Sequence, residues 1–72
     1  MSITSEQLLN WFTYHTPTPE QIPKYQAIRD AGAALAAAIV ENTPSSADQT
    51  DAVRKVREAV MTANASIACG GQ

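Results

Sequence analysis

The 72-residue chain is long enough for one domain, residues 1–72, and its 5 basic and 7 acidic side chains leave a formal charge of -2. Its single cysteine excludes an internal disulfide, and its acidic balance disfavours a duplex-DNA binder, which usually carries a basic stripe. Hydrophobic residues make up 44% of the sequence, but 13 of them are alanine, which builds only a shallow core.

A domain of this size buries only ~60% of its unfolded surface, so it usually depends on disulfides, metals or association. One histidine and one cysteine also disfavour a structural zinc site, which leaves association with other chains. The sequence contains no run of ~18 apolar residues, and it begins without a signal-peptide pattern. We therefore expect no membrane segment and a cytoplasmic protein with a reduced Cys69.

A short first helix is predicted over residues 5–14. Thr4 can cap its N-terminus, and Gln7 stands three residues later, as in a capping box. The apolar side of this helix consists of Leu8, Leu9, Trp11 and Phe12. Because so short a helix is unstable alone in water, we expect Trp11 and Phe12 to pack it against the rest of the chain.

A second helix is predicted over residues 19–42, after a connector that Pro17 and Pro19 keep extended. Thr18 is suited to cap this helix, with Gln21 completing a second capping box. Its middle part, Ala31 to Val40, is apolar nearly all round. Since such a helix is buried on more than one side and one hairpin cannot achieve this, a further chain is implied.

A third helix is predicted over residues 46–69, after Asn42-Thr43-Pro44 ends the second. Ser45 or Ser46 is expected to cap it, and Gly70 to terminate it. A heptad-like apolar seam runs along it through Val53, Val56, Val60, Ala63 and Ile67. The short link predicts an antiparallel pair. The predicted fold is thus all-α, a short N-terminal helix followed by an antiparallel helical hairpin that assembles into a homo-oligomer.

No arrangement of residues in the sequence favours catalysis. The chain lacks a glycine-rich phosphate loop, an HExxH motif and paired cysteines, and His15 is its only histidine. Asp48 and Asp51 are better explained as part of a solvated helix face than as a catalytic pair. Cys69 is better explained as a small apolar residue near a helix end than as a reactive thiol. We therefore expect no enzyme, no metal and no cofactor.

All the aromatic residues and the histidine lie within fifteen positions, from Trp11 to Tyr25, with Lys24 and Arg29 close by. Aromatic faces stack on bases and cations bind phosphates, so this set favours a small nucleotide over a long polyanion. Two structural explanations stay open. Tyr25 can pack within the hairpin, and Arg29 can pair with a carboxylate across the helices. For Tyr14, which stands before the proline connector, packing and ligand binding are more closely balanced than for Trp11 and Phe12.

The same region carries a resemblance to a known family. It runs from Phe12, and its most specific parts are the segments Tyr14–Pro17 (YHTP) and Ala63–Ala68 (ANASIA). Further matching positions are Gln21, Tyr25, Ile28, Arg29, Ile39–Pro44, Ala47, Asp48 and Arg57–Met61. Over nearly its whole length, the chain resembles the phage anti-CBASS cyclic-oligonucleotide sponge family, which shares a helical hairpin with phage anti-Thoeris sponges. Thr62 departs from the pattern, which leads us to expect tryptophan there.

The resemblance implies a compact homohexamer in the cytoplasm of the infected bacterial host. It would sequester cyclic dinucleotides such as cyclic GMP-AMP, and in some members cyclic trinucleotides, without cleaving them, and so block activation of CBASS effectors. By match to the family motif, Tyr14 would stack on a base and Arg29 would contact phosphate. His15, Pro17 and Tyr25 are expected beside them. The alternative is a structural or protein-binding small helical module.

Overall fold

Three helices form the secondary structure of residues 2–72 in a computed structural model of the chain, and these residues contain no strand. The first helix, α1, spans Ser5–Trp11, the second, α2, spans Ile22–Asn42, and the third, α3, spans Ala47–Ala68. The predicted all-α fold with its hairpin is confirmed. Two of the predicted helix ends are wrong by three residues, and both lie beside the connector between α1 and α2.

Helix α1 begins as predicted but ends at Trp11 and not at residue 14. Thr4 and Gln7 form the expected capping box at its start. At its end, the hydroxyl of Thr13 donates a hydrogen bond to the carbonyl oxygen of Leu9. In a longer helix the backbone N–H of Thr13 would bind that carbonyl, so the side chain competes with the backbone and the helix stops.

Helix α2 begins at Ile22, three residues later than predicted. The two hydrogen bonds of the predicted capping box are present, because Gln21 N donates to Thr18 Oγ1 (3.3 Å) and Thr18 N donates to Gln21 Oε1 (3.0 Å). The prediction that Thr18 is the N-cap of this helix is wrong, however, because the N-cap is Gln21. Residues 19–21 nevertheless form a tight turn, in which Gln21 N donates to the carbonyl of Thr18 at 3.0 Å. Pro23 lacks the N–H that would bind the carbonyl of Pro19, so a regular helical ladder cannot start at Pro19.

Helix α3 is capped at both ends by local hydrogen bonds. Ser46 is its N-cap and accepts from the N–H of Gln49 at 3.1 Å. At the other end, Gly70 and Gly71 have positive φ angles of 65° and 77°. Their N–H groups donate to the carbonyls of Ile67 (3.2 Å) and Ser66 (2.9 Å), the pattern of a Schellman motif. Glycine is favoured at both positions because the left-handed region penalises a Cβ atom.

Helices α2 and α3 pack against each other as an antiparallel hairpin. The seam residues predicted on α3 are each partly shielded from solvent: Val53, Val56, Val60, Ala63 and Ile67. On the facing side, Gly32 of α2 allows close approach, because a Cβ atom there would lie 2.5 Å from Cγ2 of Val60. The hairpin is thus held by small and β-branched side chains at short range.

A single chain leaves its apolar surface largely uncovered. No residue between 2 and 72 is buried, and five alanines of the segment Ala31–Val40 are exposed. The accessible surface is 5681 Å², whereas a compact monomer of 7.7 kDa exposes about 4,300 Å². Its radius of gyration is 15.3 Å, against about 11 Å for a compact domain of this length. A single chain is thus extended, and it leaves the apolar surface of its hairpin exposed to solvent.

Within residues 2–72, no helix combines the length and apolar character needed to cross a lipid bilayer.

Candidate functional site

One groove at the end of the hairpin gathers every residue predicted to contact a ligand. It has a volume of about 510 Å³ and lies between the connector, the start of α2 and the end of α3. The predicted residues that line it are Tyr14, His15, Pro17, Tyr25 and Arg29. The other lining residues are Ile22, Gln26, Asn64, Ala65 and Ala68. The groove falls within the size range of small-molecule sites, ~300–1,000 Å³.

The connector is held over α3 by hydrogen bonds to the carbonyl groups at the end of that helix. Asn10 Nδ2 donates to the carbonyl of Cys69 at 3.0 Å, and Gln21 Nε2 donates to the carbonyl of Ile67 at 3.3 Å. The last carbonyls of a helix have no partner within the helix, so they are natural acceptors for such side chains. The two amides therefore fix both ends of the segment that carries Tyr14 and His15.

His15 is oriented by the same tether. Its Nε2 lies 2.7 Å from the carbonyl oxygen of Asn10, and the side chain is only partly exposed. A carbonyl can only accept a hydrogen bond, so Nε2 carries the proton in this contact. His15 thus lines the groove with a ring whose orientation this hydrogen bond fixes.

The two tyrosines occupy different depths. Tyr14 is 82% exposed, so its ring is available for stacking at the mouth of the groove. Tyr25 is partly shielded and lies on the wall formed by α2. For Tyr25, packing within the hairpin and lining the groove are therefore compatible.

The expected packing role of the α1 aromatics is wrong for Phe12. That ring is 84% exposed and does not line the ligand groove. Trp11 is 42% exposed and lines a neighbouring depression with Thr62, Ser66 and Cys69. Of the two aromatic residues that were expected to pack α1 on the hairpin, Trp11 does so and Phe12 does not.

Arg29 makes no ion pair within residues 2–72, where the single salt bridge joins Lys55 Nζ to Asp51 Oδ2 at 2.9 Å. Its Nη1 instead donates to Gln26 Oε1 at 3.3 Å, and Gln26 Nε2 donates to Asp30 Oδ1 at 2.7 Å. The alternative in which Arg29 pairs with a carboxylate across the helices is therefore wrong. Its guanidinium keeps a full charge and several donors for another partner.

Outside the groove, the one ion pair among residues 2–72 is an exposed pair within α3. The pKa of Lys55 is raised by its hydrogen bond to Asp51 and by the charge of that carboxylate. This pair is exposed and one helical turn apart, so it contributes little to folding. No group of histidine, cysteine, aspartate or glutamate among residues 2–72 could hold a metal ion.

Several groove residues were not predicted as contacts from the sequence. Ile22 and Gln26 lie one turn of α2 from Tyr25 and Arg29, so helical spacing could have identified them. Asn64 appears in the matched segment ANASIA, yet nothing in its spacing indicated the groove. In the structure, its Oδ1 is buried and has no hydrogen-bond partner among the described residues.

One comparison with known protein families agrees with the hairpin and covers nearly the whole chain. Residues 5–68 match the profile of the family described as "Acb2/Tad1, hairpin domain", which comprises the anti-CBASS and anti-Thoeris sponges. No curated protein and no solved structure matches the chain. Because the match spans all three helices, the family assignment rests on the same residues that build the groove. The chain belongs to the Acb2/Tad1 hairpin family of phage anti-defence sponges.

Proposed function

We propose that the chain sequesters cyclic dinucleotides, such as cyclic GMP-AMP, in the cytoplasm of an infected bacterium and so keeps them from CBASS effectors. The observation that carries this proposal is that an exposed aromatic ring and a guanidinium with no ion pair among residues 2–72 line the same groove. Tyr14 supplies the ring and Arg29 the cation. These are the groups that a ligand made of bases and phosphates needs.

The symmetry of the ligand favours a site shared by two chains. A cyclic dinucleotide has two bases and two phosphates related by an approximate two-fold axis. One chain offers one Tyr14 and one Arg29 at its groove, whereas a two-fold interface presents each residue twice. Two chains would therefore supply two stacking faces and two cations. The formal charge of -2 on each chain is compatible with this, because two phosphates need few cations.

The uncovered surface of the hairpin supports assembly into a homohexamer. Apolar grooves of about 530 and 460 Å³ flank the seam on either side of Gly32. A chain with an uncovered face on each side can contact two neighbours at once, which permits closed rings or stacked dimers. The exposed alanines between Ala31 and Val40 would allow the helices of neighbouring chains to approach closely.

Titration with cyclic GMP-AMP, followed by heat denaturation and analysis of the released ligand, tests this function. We expect binding at micromolar concentration or below and recovery of the intact ligand. Cyclic trinucleotides should be included in the same titration, because the family resemblance implies that some members bind them. Recovery of a degraded ligand would indicate a phosphodiesterase instead. Failure to bind any of these ligands would refute sequestration.

A second candidate is a small protein-binding helical module, which the exposed apolar side of α1 favours. Leu9 is 72% exposed and lies one turn from the exposed ring of Phe12. A partner protein could cover both. This alternative predicts a monomer at tens of micromolar and no affinity for cyclic nucleotides, so sedimentation combined with the titration above separates the two functions.

A further inference from the structure

An unsatisfied acceptor lies in the wall of the proposed ligand groove. Oδ1 of Asn64 is shielded from solvent and has no hydrogen-bond partner among residues 2–72. The residue itself lines the groove together with Tyr25 and Ala65. Because buried polar atoms in native proteins are almost always paired, an orphan acceptor at this place requires an explanation.

The local helix gives no reason for asparagine at this position. Asn64 lies in the interior of α3, between Ala63 and Ala65. Asparagine is a poorer helix former than alanine, because its side chain competes for backbone hydrogen bonds. Helix propensity and hydrogen-bond satisfaction therefore both favour alanine over asparagine here. A residue that is unfavourable on two independent counts and faces a groove is a candidate for ligand recognition.

We propose that Asn64 reads the base of the bound cyclic dinucleotide, with its Oδ1 accepting a hydrogen bond from an N–H group on the base edge. This inference rests on the proposed function. The torsion that turns an asparagine carboxamide is broad, so Oδ1 can rotate toward the groove when a ligand fills it. Tyr14 would contact the face of a base, and Asn64 would contact an edge.

The chemistry of the carboxamide predicts what kind of base edge it recognises. It presents an acceptor and a donor side by side, which matches an edge that carries an N–H group beside an acceptor, as adenine, guanine and uracil each do on a different edge. A base without a donor at that edge would leave Oδ1 unpaired in the complex. Sites built around such a hydrogen bond discriminate strongly against ligands that lack it, because the buried group then stays unsatisfied.

The test uses Asn64→Leu, which keeps a branched side chain and removes its polar atoms, with Asn64→Ala as a second variant. Asn42→Leu is the matched control, because Asn42 lies at the opposite end of α2, where its side chain binds only the carbonyl of Ala38. Calorimetric titrations of the full chain with cyclic GMP-AMP, cyclic di-AMP, cyclic di-GMP and cyclic di-UMP measure selectivity. Melting temperatures without ligand measure stability.

We expect Asn64→Leu to weaken the tightest ligand about tenfold or more while changing the weakest ligand little, so that selectivity collapses. The melting temperature should stay the same or rise, since an unpaired buried acceptor is removed. Asn42→Leu should leave the selectivity unchanged.

Other outcomes overturn the inference in distinguishable ways. A uniform loss of affinity with a lower melting temperature would assign Asn64 to structure. Unchanged selectivity in both Asn64 variants would exclude base reading while leaving the proposed function intact. If the unaltered chain bound none of the four ligands, the proposed function and this inference would fail together.

Discussion

At the scale of single residues, Tyr14 and Arg29 supply two different interactions to the groove. Tyr14→Ala should weaken binding of cyclic GMP-AMP by about 1–3 kcal/mol, the range for stacking of a base on an aromatic ring. Tyr14→Phe keeps the ring and should retain most of the affinity. Calorimetry measures both, and equal losses in the two variants would contradict stacking and indicate a role for the hydroxyl.

Arg29→Ala should also weaken binding, by about 1.5–3 kcal/mol, because hydrogen bonds to charged groups are stronger than neutral ones. The affinity of Arg29→Lys should lie between those of the unaltered chain and Arg29→Ala, since lysine keeps the charge but loses the planar fork of donors. Arg54→Ala is the matched control, because Arg54 is exposed on α3 and lies outside the groove. Sedimentation checks assembly, and loss of the oligomer in Arg29→Ala would assign the residue to structure.

Gly32 sets the distance between the two long helices. Gly32→Ala should lower the free energy of unfolding by about 1–3 kcal/mol, because the new Cβ would overlap Cγ2 of Val60 at 2.5 Å. Alanine is the better helix former by about 1 kcal/mol, but a β-branched partner in a helix has little rotamer freedom to give way.

A double-mutant cycle with Val60→Ala isolates this contact, measured by urea unfolding at one protein concentration. Val60→Ala removes the methyl group in the way, so the double variant should be more stable than the sum of the two single losses predicts. Strict additivity would show that the close approach of Gly32 to Val60 does not limit stability.

At the scale of elements, the tether of α1 to α3 determines where the connector lies. Asn10→Ala removes the hydrogen bond to the carbonyl of Cys69 and should cost about 0.5–1.5 kcal/mol. We expect faster hydrogen exchange in residues 5–12 and weaker ligand binding, with the exchange of α2 and α3 unchanged. Asn42→Ala removes a comparable bond, to Ala38, far from the groove. If both variants bound ligand equally well, the tether would have no part in positioning the connector.

The helices themselves were predictable because their signals are local. The box at Thr4, the cap at Ser46 and the glycines after Cys69 each fix a helix end through neighbouring atoms. At the two misplaced ends, the regular hydrogen bonding of the helix backbone is interrupted by a side chain or by a proline. An apolar pattern does not show which of these interruptions ends a helix. Thr13 takes a carbonyl from the backbone, and Pro23 withholds a donor from the carbonyl of Pro19.

The groove was predictable only in part, for a similar reason. Tyr14 and Arg29 stood out by their chemistry, and the resemblance placed His15, Pro17 and Tyr25 beside them. The contribution of α3 was not predicted, because Asn64 is far from the connector in the chain and comes near it only when the hairpin closes. The exposure of Phe12 was also not predicted, because an apolar pattern does not tell which side chains of a short helix the hairpin covers.

At the scale of the whole molecule, the uncovered surface predicts a stable oligomer. Six chains of 7.7 kDa would have a mass of about 46 kDa in a closed hexamer. Sedimentation equilibrium or light scattering measures this directly. A mass of a single chain at tens of micromolar would contradict the assembly and leave the exposed alanines of α2 without an explanation.

The central claim is that two chains share one cyclic dinucleotide, with Tyr14 and Arg29 each contributed twice. Isothermal titration calorimetry with cyclic GMP-AMP tests it most directly, because the stoichiometry reports how many chains build a site. Two-fold sharing predicts about 0.5 ligand per chain, with intact ligand recovered after the chain is denatured. A stoichiometry of one ligand per chain, or no measurable binding, would contradict the claim.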